Sequence, residues 1–445
     1  MSRRSAWDFG RALGAGSEFS IDEGDCVRAL IAVDHHFVRP ARGAVYLGPP
    51  MAIAGYGFWG QYLKVFDEIV VLARVRQTGD GPPMTAQADG PGVTFCDLPD
   101  FWGPWEYFRF LASLKRRVRE AVAETDTSIL RVPGTIGQLA WKMIRGTGRP
   151  YALDVVADPW DMFSPGAAPS IVRPVVRLNW ANRLMQMCRE APAISYVTRD
   201  ALQRRYPPGP KSWTACFSDV DLGHGLAEPD QLQTRMARLA EDSSSNSNHG
   251  TRRFRLGFVG ALAQMYKAPD VLLYAVADCL RQGLDLEVAI AGDGKFRPAM
   301  EDLAHRLGIA DRVRFLGVLS PGEAVRRFLD GVDLFVLPSR QEGLPRAMVE
   351  AMARGCPCIG AAVGGIPELL PREDLVAPGD VAALTAKIGE VLANSDRMTR
   401  MARQNWKTAQ EYRLDILEER RAAFYRGVRE QAEEARKQTP SSEGK

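Results

Sequence analysis

Histidine is scarce in this chain of 445 residues: there are five, His35, His36, His224, His249 and His305. None falls in a spacing such as H-E-x-x-H, so a histidine-built metal site is not expected. Cysteine offers no framework either. The seven (Cys26, Cys96, Cys188, Cys216, Cys279, Cys356, Cys358) are odd in number, scattered and without a C-x-x-C pair. That argues against a zinc ribbon or disulfide scaffold and suits reduced, cytosolic thiols. No apolar run reaches the ~18 residues of a membrane span, the stretch from Ala52 to Leu63 being short and rich in glycine. The N-terminus lacks the apolar core of a secretory signal. No short-period repeat is present, so a solenoid is excluded. Net charge is only +3, and residues 1–227 carry all of it, 26 Lys plus Arg against 23 Asp plus Glu. Chemistry here must rest on carboxylates, Lys or Arg, and backbone amides.

What is present is an ordinary globular composition, 46% hydrophobic and 25% charged, which excludes disorder and fibrous repeats for most of the chain. The second half alternates strand and helix signals: strands at Arg255–Val259, Leu286–Ala291, Arg312–Leu316, Leu334–Leu337 and Pro357–Gly360, with helices between them. Short apolar strands alternating with helices imply a parallel, doubly wound α/β sheet, whose ligands bind at the carboxyl ends of the strands. The first half alternates less regularly, with strands expected at Val27–Val33, Glu68–Leu72, Thr127–Leu130, Tyr151–Val155 and Ala193–Val197. Two Rossmann-like domains facing across a cleft are expected, over residues 25–225 and 252–412. Between them Gln231–Glu241 looks helical and 242–251 is a polar loop with nothing to bury. An amphipathic segment at 413–429 would cross back onto the first domain, and 430–445 reads as a disordered tail.

The most informative segment runs from Asp333 to Pro357. A buried strand ends at Pro338, a loop carries Glu342 and Gly343, and a helix is expected from Leu344 with Pro345 in its first turn. Gly343, Leu344, Pro345 and Arg346 would then form a helix mouth whose free N–H groups attract an anion. Glu342 and Glu350, eight residues apart, would lie on one face. Carboxylates accept paired hydrogen bonds from vicinal diols, as in ribose or hexose. The plainer alternative is two solvated glutamates favoured by the helix dipole.

This segment resembles the E-x7-E motif of glycosyltransferase family 4, retaining enzymes of the GT-B fold that use nucleotide-sugar donors. The similarity spans about Phe254 to Leu370. It includes Phe258-Val-Gly-Ala-Leu262, Tyr266-Lys267-Ala-Pro-Asp270, Ala291-Gly-Asp-Gly294, Phe315-Leu-Gly317 and Gly364-Gly-Ile-Pro-Glu368. The resemblance implies that Glu342 contacts the donor sugar near the reacting centre and that Glu350 holds the ribose diol. Gly260 would let the backbone approach the diphosphate, and Lys267 would neutralise it and serve catalysis. It implies transfer of a hexosyl group from a UDP- or GDP-linked sugar to a hydroxyl of a glycan or lipid-linked glycan in surface polysaccharide synthesis. Anomeric configuration would be retained by a front-face mechanism in which the leaving phosphate helps deprotonate the acceptor. No metal and no further cofactor are expected, and the location would be cytoplasmic. One departure stands out: many relatives have Arg directly after the glycine, and here that residue is Ala261. Arg340, Arg346 or Arg297 would then have to compensate.

Other features carry less. Asp219-Val-Asp221 matches the D-x-D of metal-dependent glycosyltransferases, yet it falls between the domains, where a structural role is expected. Gly292-Asp-Gly294 lacks the third glycine of a dinucleotide fingerprint, and Cys356 and Cys358 flank a buried strand as core thiols. Arg131 to Gly137 follows a strand and could form the cleft floor, with Arg131 where several retaining relatives have histidine. Asp154 to Asp161, with Trp160, suits either sugar binding or packing. The basic run Lys115 to Arg119 follows Phe101, Trp102, Trp105 and Phe108, which reads as a solvated helix face or as a contact with the anionic inner face of a membrane. Nucleic-acid binding has no support. Two rival functions share this fold: a nucleotide-sugar epimerase and a non-catalytic nucleotide-sugar-binding subunit, the latter suggested by Ala261.

Overall fold

The structure is a computed structural model that describes residues 26–41, 43–48, 55–79, 85–163, 172–220, 222–223, 225–240 and 253–438. Asp221, His224, His249, the 242–251 loop and the N-terminal segment lie outside them.

Two sheets organise these residues. The first has eight strands: β1 (Arg28–Pro40), β2 (Tyr46–Leu47), β3 (Glu68–Thr78), β4 (Val93–Leu98), β5 (Thr127–Val132), β6 (Tyr151–Val155), β7 (Ala193–Tyr196) and β8 (Trp213–Cys216). Their order is β4-β3-β1-β5-β6-β7-β8, all parallel, with β2 antiparallel on β1. The connections are α1 (Tyr56–Leu63), α2 (Gly103–Ala123), α3 (Thr135–Ile144), α4 (Pro159–Met162), α5 (Arg173–Glu190) and α6 (Ala201–Arg205). Next comes α7 (Pro229–Ala240).

The second sheet is wholly parallel. It contains β9 (Phe254–Val259), β10 (Leu286–Ala291), β11 (Val313–Gly317), β12 (Leu334–Leu337), β13 (Cys358–Ala361) and β14 (Leu375–Val376), in the order β11-β10-β9-β12-β13-β14. Its helices are α8 (Pro269–Arg281), α9 (Arg297–Arg306), α10 (Glu323–Asp330), α11 (Arg346–Ala353), α12 (Ile366–Leu369), α13 (Val381–Leu392) and α14 (Ser395–Ala409). Strands such as Leu334-Phe-Val-Leu337 are fully buried, as a parallel sheet covered on both faces requires. The order reverses beside β9, and the crevice at such a point is where ligands sit.

Two segments differ from the sequence reading. Helix α7 belongs to the second domain: Arg235 donates to the carbonyls of Val332 and Leu329, both at 2.7 Å. The final helix, α15 (Leu414–Gln438), is much longer than expected. It returns to the first domain, where Tyr425 stacks near Tyr62 with ring centroids 4.9 Å apart. The stretch from Glu430 is no disordered tail up to Gln438. Its Ala432 is buried, and Arg436 reaches Asp126 at 2.6 Å and the Cys26 carbonyl at 2.6 Å. Periodicity is weak there because the segment is charged on most faces, and its few apolar positions are enough once Arg and Glu stems cover the rest.

Candidate active site

Two loops of the second domain meet at the carboxyl ends of β9 and β12. After β9 the chain passes Gly260 and forms a single 3-10 turn, Met265–Lys267. Ala268, at φ 54°, then redirects it into α8. After β12 the chain passes Ser339, Arg340, Gln341 and Glu342 before α11. Arg340 joins the two loops: its backbone N–H donates to the Tyr266 carbonyl at 2.7 Å, and its guanidinium grips Asp270 at 2.9 and 2.7 Å. As a result Lys267 Nζ lies 2.8 Å from Glu342 Oε1, both side chains being largely buried (13% and 6% exposed). Ser339 Oγ donates to the same oxygen at 2.7 Å. Among the described residues Oε2 has no such bond, so one face of the carboxylate remains for a ligand.

Gly260 is where Lys267 needs it. A Cβ there would lie 2.6 Å from Lys267 Cδ, so the glycine makes room for the lysine stem as well as for any approaching ligand. Gly364, at φ 51°, lies under the Glu342 carbonyl, and a Cβ would come within 1.9 Å of that oxygen. The neighbouring Gly365 N–H donates to the Gly343 carbonyl at 2.7 Å.

The expected helix mouth is displaced. Helix α11 starts at Arg346, and Pro345 is its N-cap with ψ 105°. Leu344 is therefore not helical, because a residue before proline is driven towards extended backbone. Consequently Glu342 and Glu350 do not share a helix face. Glu342 and Gly343 line a cavity of about 300 Å3 with Gln264, Tyr266 and Gln341, and with Ala157, Asp158 and Met162 from the first domain. Glu350 lines a separate, smaller hollow of about 40 Å3 with Leu222, Gly225, Gly322, Val325, Arg326 and Leu329. Of the three arginines considered as substitutes at Ala261, Arg340 is committed to Asp270, and Arg297 to Asp293 and Glu301 at 2.9 and 2.8 Å. Arg346 is exposed at the start of α11.

On the facing domain, Arg131 is bound to Asp219, and Asp154 lies 3.7 Å away. Burial opposes charge on Asp219, but the Arg131 guanidinium outweighs it and holds the carboxyl below its usual range. Asp219 is thus held in an ion pair with Arg131. Beside this pair lies His35, which sequence reasoning passed over. Burial, together with the Arg131 and Arg74 guanidiniums, pulls its pKa down to about 4, so the imidazole is neutral at physiological pH. The signal was available: His35 follows the apolar run of β1, where such sheets place ligand loops, but β1 continues to Pro40 and masks the strand end. Asp158, which lines the cavity, and Trp160 are also held by neighbours. Asp158 accepts from Tyr206 Oη at 2.5 Å and from the Trp160 N–H at 2.8 Å, and Arg177 stacks on the indole 4.1 Å from its centroid. Among the described residues no group of three or more His, Cys, Asp or Glu is placed to hold a metal.

Comparison with known proteins agrees with this fold. Residues 253–394 match the family model described as glycosyl transferases group 1. Protein CapJ of Staphylococcus aureus is 23% identical over 360 residues, covering 81% of this chain and 86% of that protein. The D-inositol 3-phosphate glycosyltransferase of Nocardia farcinica is 37% identical over 157 residues, 33% of this chain and 34% of that protein. Among solved structures, HepE of Anabaena in complex with UDP-glucose superposes with a TM-score of 0.58 at 18% identity, covering 90% of this chain and 99% of that one. The family match falls within the second domain. The chain is a glycosyltransferase of the GT-B fold.

Proposed function

We propose that the enzyme moves a hexosyl group from a nucleoside-diphosphate sugar to a hydroxyl of a glycan or lipid-linked glycan, with retention at the anomeric carbon. The observation that carries this reading is the contact between Lys267 and Glu342 at the wall of a cavity shared by the two domains. The donor's hexose occupies that cavity beside Glu342, and its nucleoside ribose lies towards Glu350. The diphosphate between them faces Lys267, Arg346 and the N–H groups of Gly343 and Leu344, charge that does not depend on a metal. As the anomeric C–O bond breaks, these donors stabilise the departing diphosphate. The acceptor oxygen bonds to the anomeric carbon on the same face, and its proton passes to a phosphate oxygen of the leaving group. UDP is the favoured nucleotide, since HepE of Anabaena was solved with UDP-glucose, with GDP the other candidate.

The acceptor side would rest on the cytoplasmic face of a membrane. No described helix is long and apolar enough to cross one. Trp105 (87% exposed) and Phe108 on α2, and Val175 (71%) on α5, are bare apolar side chains near Arg109, Lys115 and Arg173, a composition suited to anionic lipid. Purified enzyme offered UDP-, GDP- and ADP-sugars with glycan acceptors should release nucleoside diphosphate with one donor class and give a product of unchanged anomeric configuration by NMR. Glu342→Ala should abolish both transfer and donor hydrolysis while remaining folded. Wild-type turnover in that variant would sink the assignment.

A further inference from the structure

The cavity beside Glu342 contains a polar side chain that no step above uses. Gln341 precedes Glu342 on the same loop, is only 8% exposed and lines the cavity. Its Oε1 is sealed from solvent without a hydrogen-bond partner, and among the described residues its amide nitrogen has no protein partner either. Of the other polar side chains in the wall, Asp158 is bound to Tyr206 and Trp160 and Glu342 Oε1 to Lys267 and Ser339, while Gln264 is exposed and Tyr266 half-buried. Native interiors rarely leave an amide unsatisfied, because each lost hydrogen bond costs stability. At a cavity wall, a bound molecule can complete such an amide.

We infer that Gln341 is a specificity-determining residue that hydrogen-bonds a hydroxyl of the transferred hexose. This rests on the donor reading of the cavity and deepens it. An amide carries both donor and acceptor, and rotation by 180° about its last torsion exchanges them in nearly the same volume. Gln341 therefore pairs with a hydroxyl in either orientation. The opposite wall, Ala157 and Met162, offers apolar contact to the ring. With Glu342 Oε2 adjacent, two neighbouring side chains read neighbouring hydroxyls. Which hexose epimer is accepted then depends on the pair, whereas the nucleotide is held elsewhere.

The test is a cycle of one side chain against one hydroxyl. Gln341→Met keeps length and removes both hydrogen-bonding ends, and Gln341→Asn, which withdraws the amide by one methylene, serves if the first is unstable. Each is assayed with the accepted donor and with its series of monodeoxy analogues. At least a fivefold loss of kcat/KM is expected with the full donor. One deoxy donor should show an equal loss in the wild type and no further loss in the variant, because that pair shares one interaction. Affinity for the free nucleoside diphosphate should change less than twofold. Losses that multiply for every deoxy donor, or unchanged kcat/KM with an unchanged donor ranking, would overturn the inference. If Glu342→Ala is inactive while Gln341→Met behaves as wild type, only this inference fails. If Glu342→Ala turns over normally, the donor reading itself fails.

Discussion

Replacing Gly364 with alanine separates the two reasons for a glycine beside the site. The first reason is backbone: at φ 51° an alanine loses about 1–2 kcal/mol in the left-handed region. The second is space. The new Cβ would stand 1.9 Å from the Glu342 carbonyl oxygen, where ordinary contact begins near 3.4 Å, so the two loops must part by about 1.5 Å. Forcing such a separation costs about 1–3 kcal/mol and strains the 2.7 Å bond from Gly365 N–H to the Gly343 carbonyl. A misplacement near 1 Å costs about 100-fold in rate. Gly364→Ala should therefore unfold about 2–5 kcal/mol more easily in denaturant titration and turn over donor at least 100-fold more slowly. Gly379→Ala is the control: φ is 79°, but nothing lies within 4 Å of its Cβ. That variant should lose only the backbone cost and keep full activity. Equal behaviour of the two variants in both assays would refute the claim that Gly364 sets the position of Glu342.

Gly427 on α15 would place a Cβ 2.2 Å from the Trp213 ring. Gly427→Val should destabilise the protein by about 1–3 kcal/mol, and Trp213→Ala in the same chain should recover part of that in thermal unfolding; no recovery would refute the packing argument. His35 titrates near 4 folded against about 6.5 unfolded. The unfolded chain binds the proton first, so stability present above pH 6.5 is lost as pH falls towards 4, by at most roughly 3 kcal/mol. His35→Gln should flatten that slope in urea titrations at pH 7, 6, 5 and 4.5, and an unchanged slope would assign it to other groups. Arg346→Ala should weaken nucleoside-diphosphate binding about tenfold or more by calorimetry, as for a charged hydrogen bond. Arg297→Ala should leave it within twofold, and the reverse ranking would move the diphosphate to α9.

The second domain was legible because its strands are short, apolar and closed by glycine or proline: Leu286–Ala291 and Leu334–Leu337 have the bounds expected of them. Strands at the rim were not. Trp213–Cys216 is partly exposed and Val93–Leu98 is half-buried, so neither shows an uninterrupted apolar run. The side chains of the candidate site were legible by type and spacing but not in three dimensions. Glu342 and Glu350 share a helix face only if Pro345 takes its preferred first-turn position. The restriction on the residue before it prevailed. The proximity of Lys267 to Glu342 depends on Arg340 bridging to Asp270, a contact across 70 residues that local patterning does not encode.

The stretch from Val363 to Glu368, which leads into α12, links the site to the domain seam. At one end Gly364 lies against the Glu342 carbonyl. At the other, the Glu368 carboxylate accepts from the N–H groups of Arg199, Asp200 and Ala201 at 2.6, 3.1 and 2.7 Å, the start of α6 in the first domain. A negative group on free N–H groups is a strong, directional contact, and the loop between the two ends is short. Glu342 is therefore linked, through Gly364 and Glu368, to the corner between β7 and α6 as well as directly to Lys267 and Ser339 of its own domain. Any opening of the cleft about this seam would move the α2 and α5 ends most and Glu342 least. On the donor reading proposed above, movement of the first domain would leave Glu342 and Lys267 in register with each other, as pre-organised charge stabilisation requires.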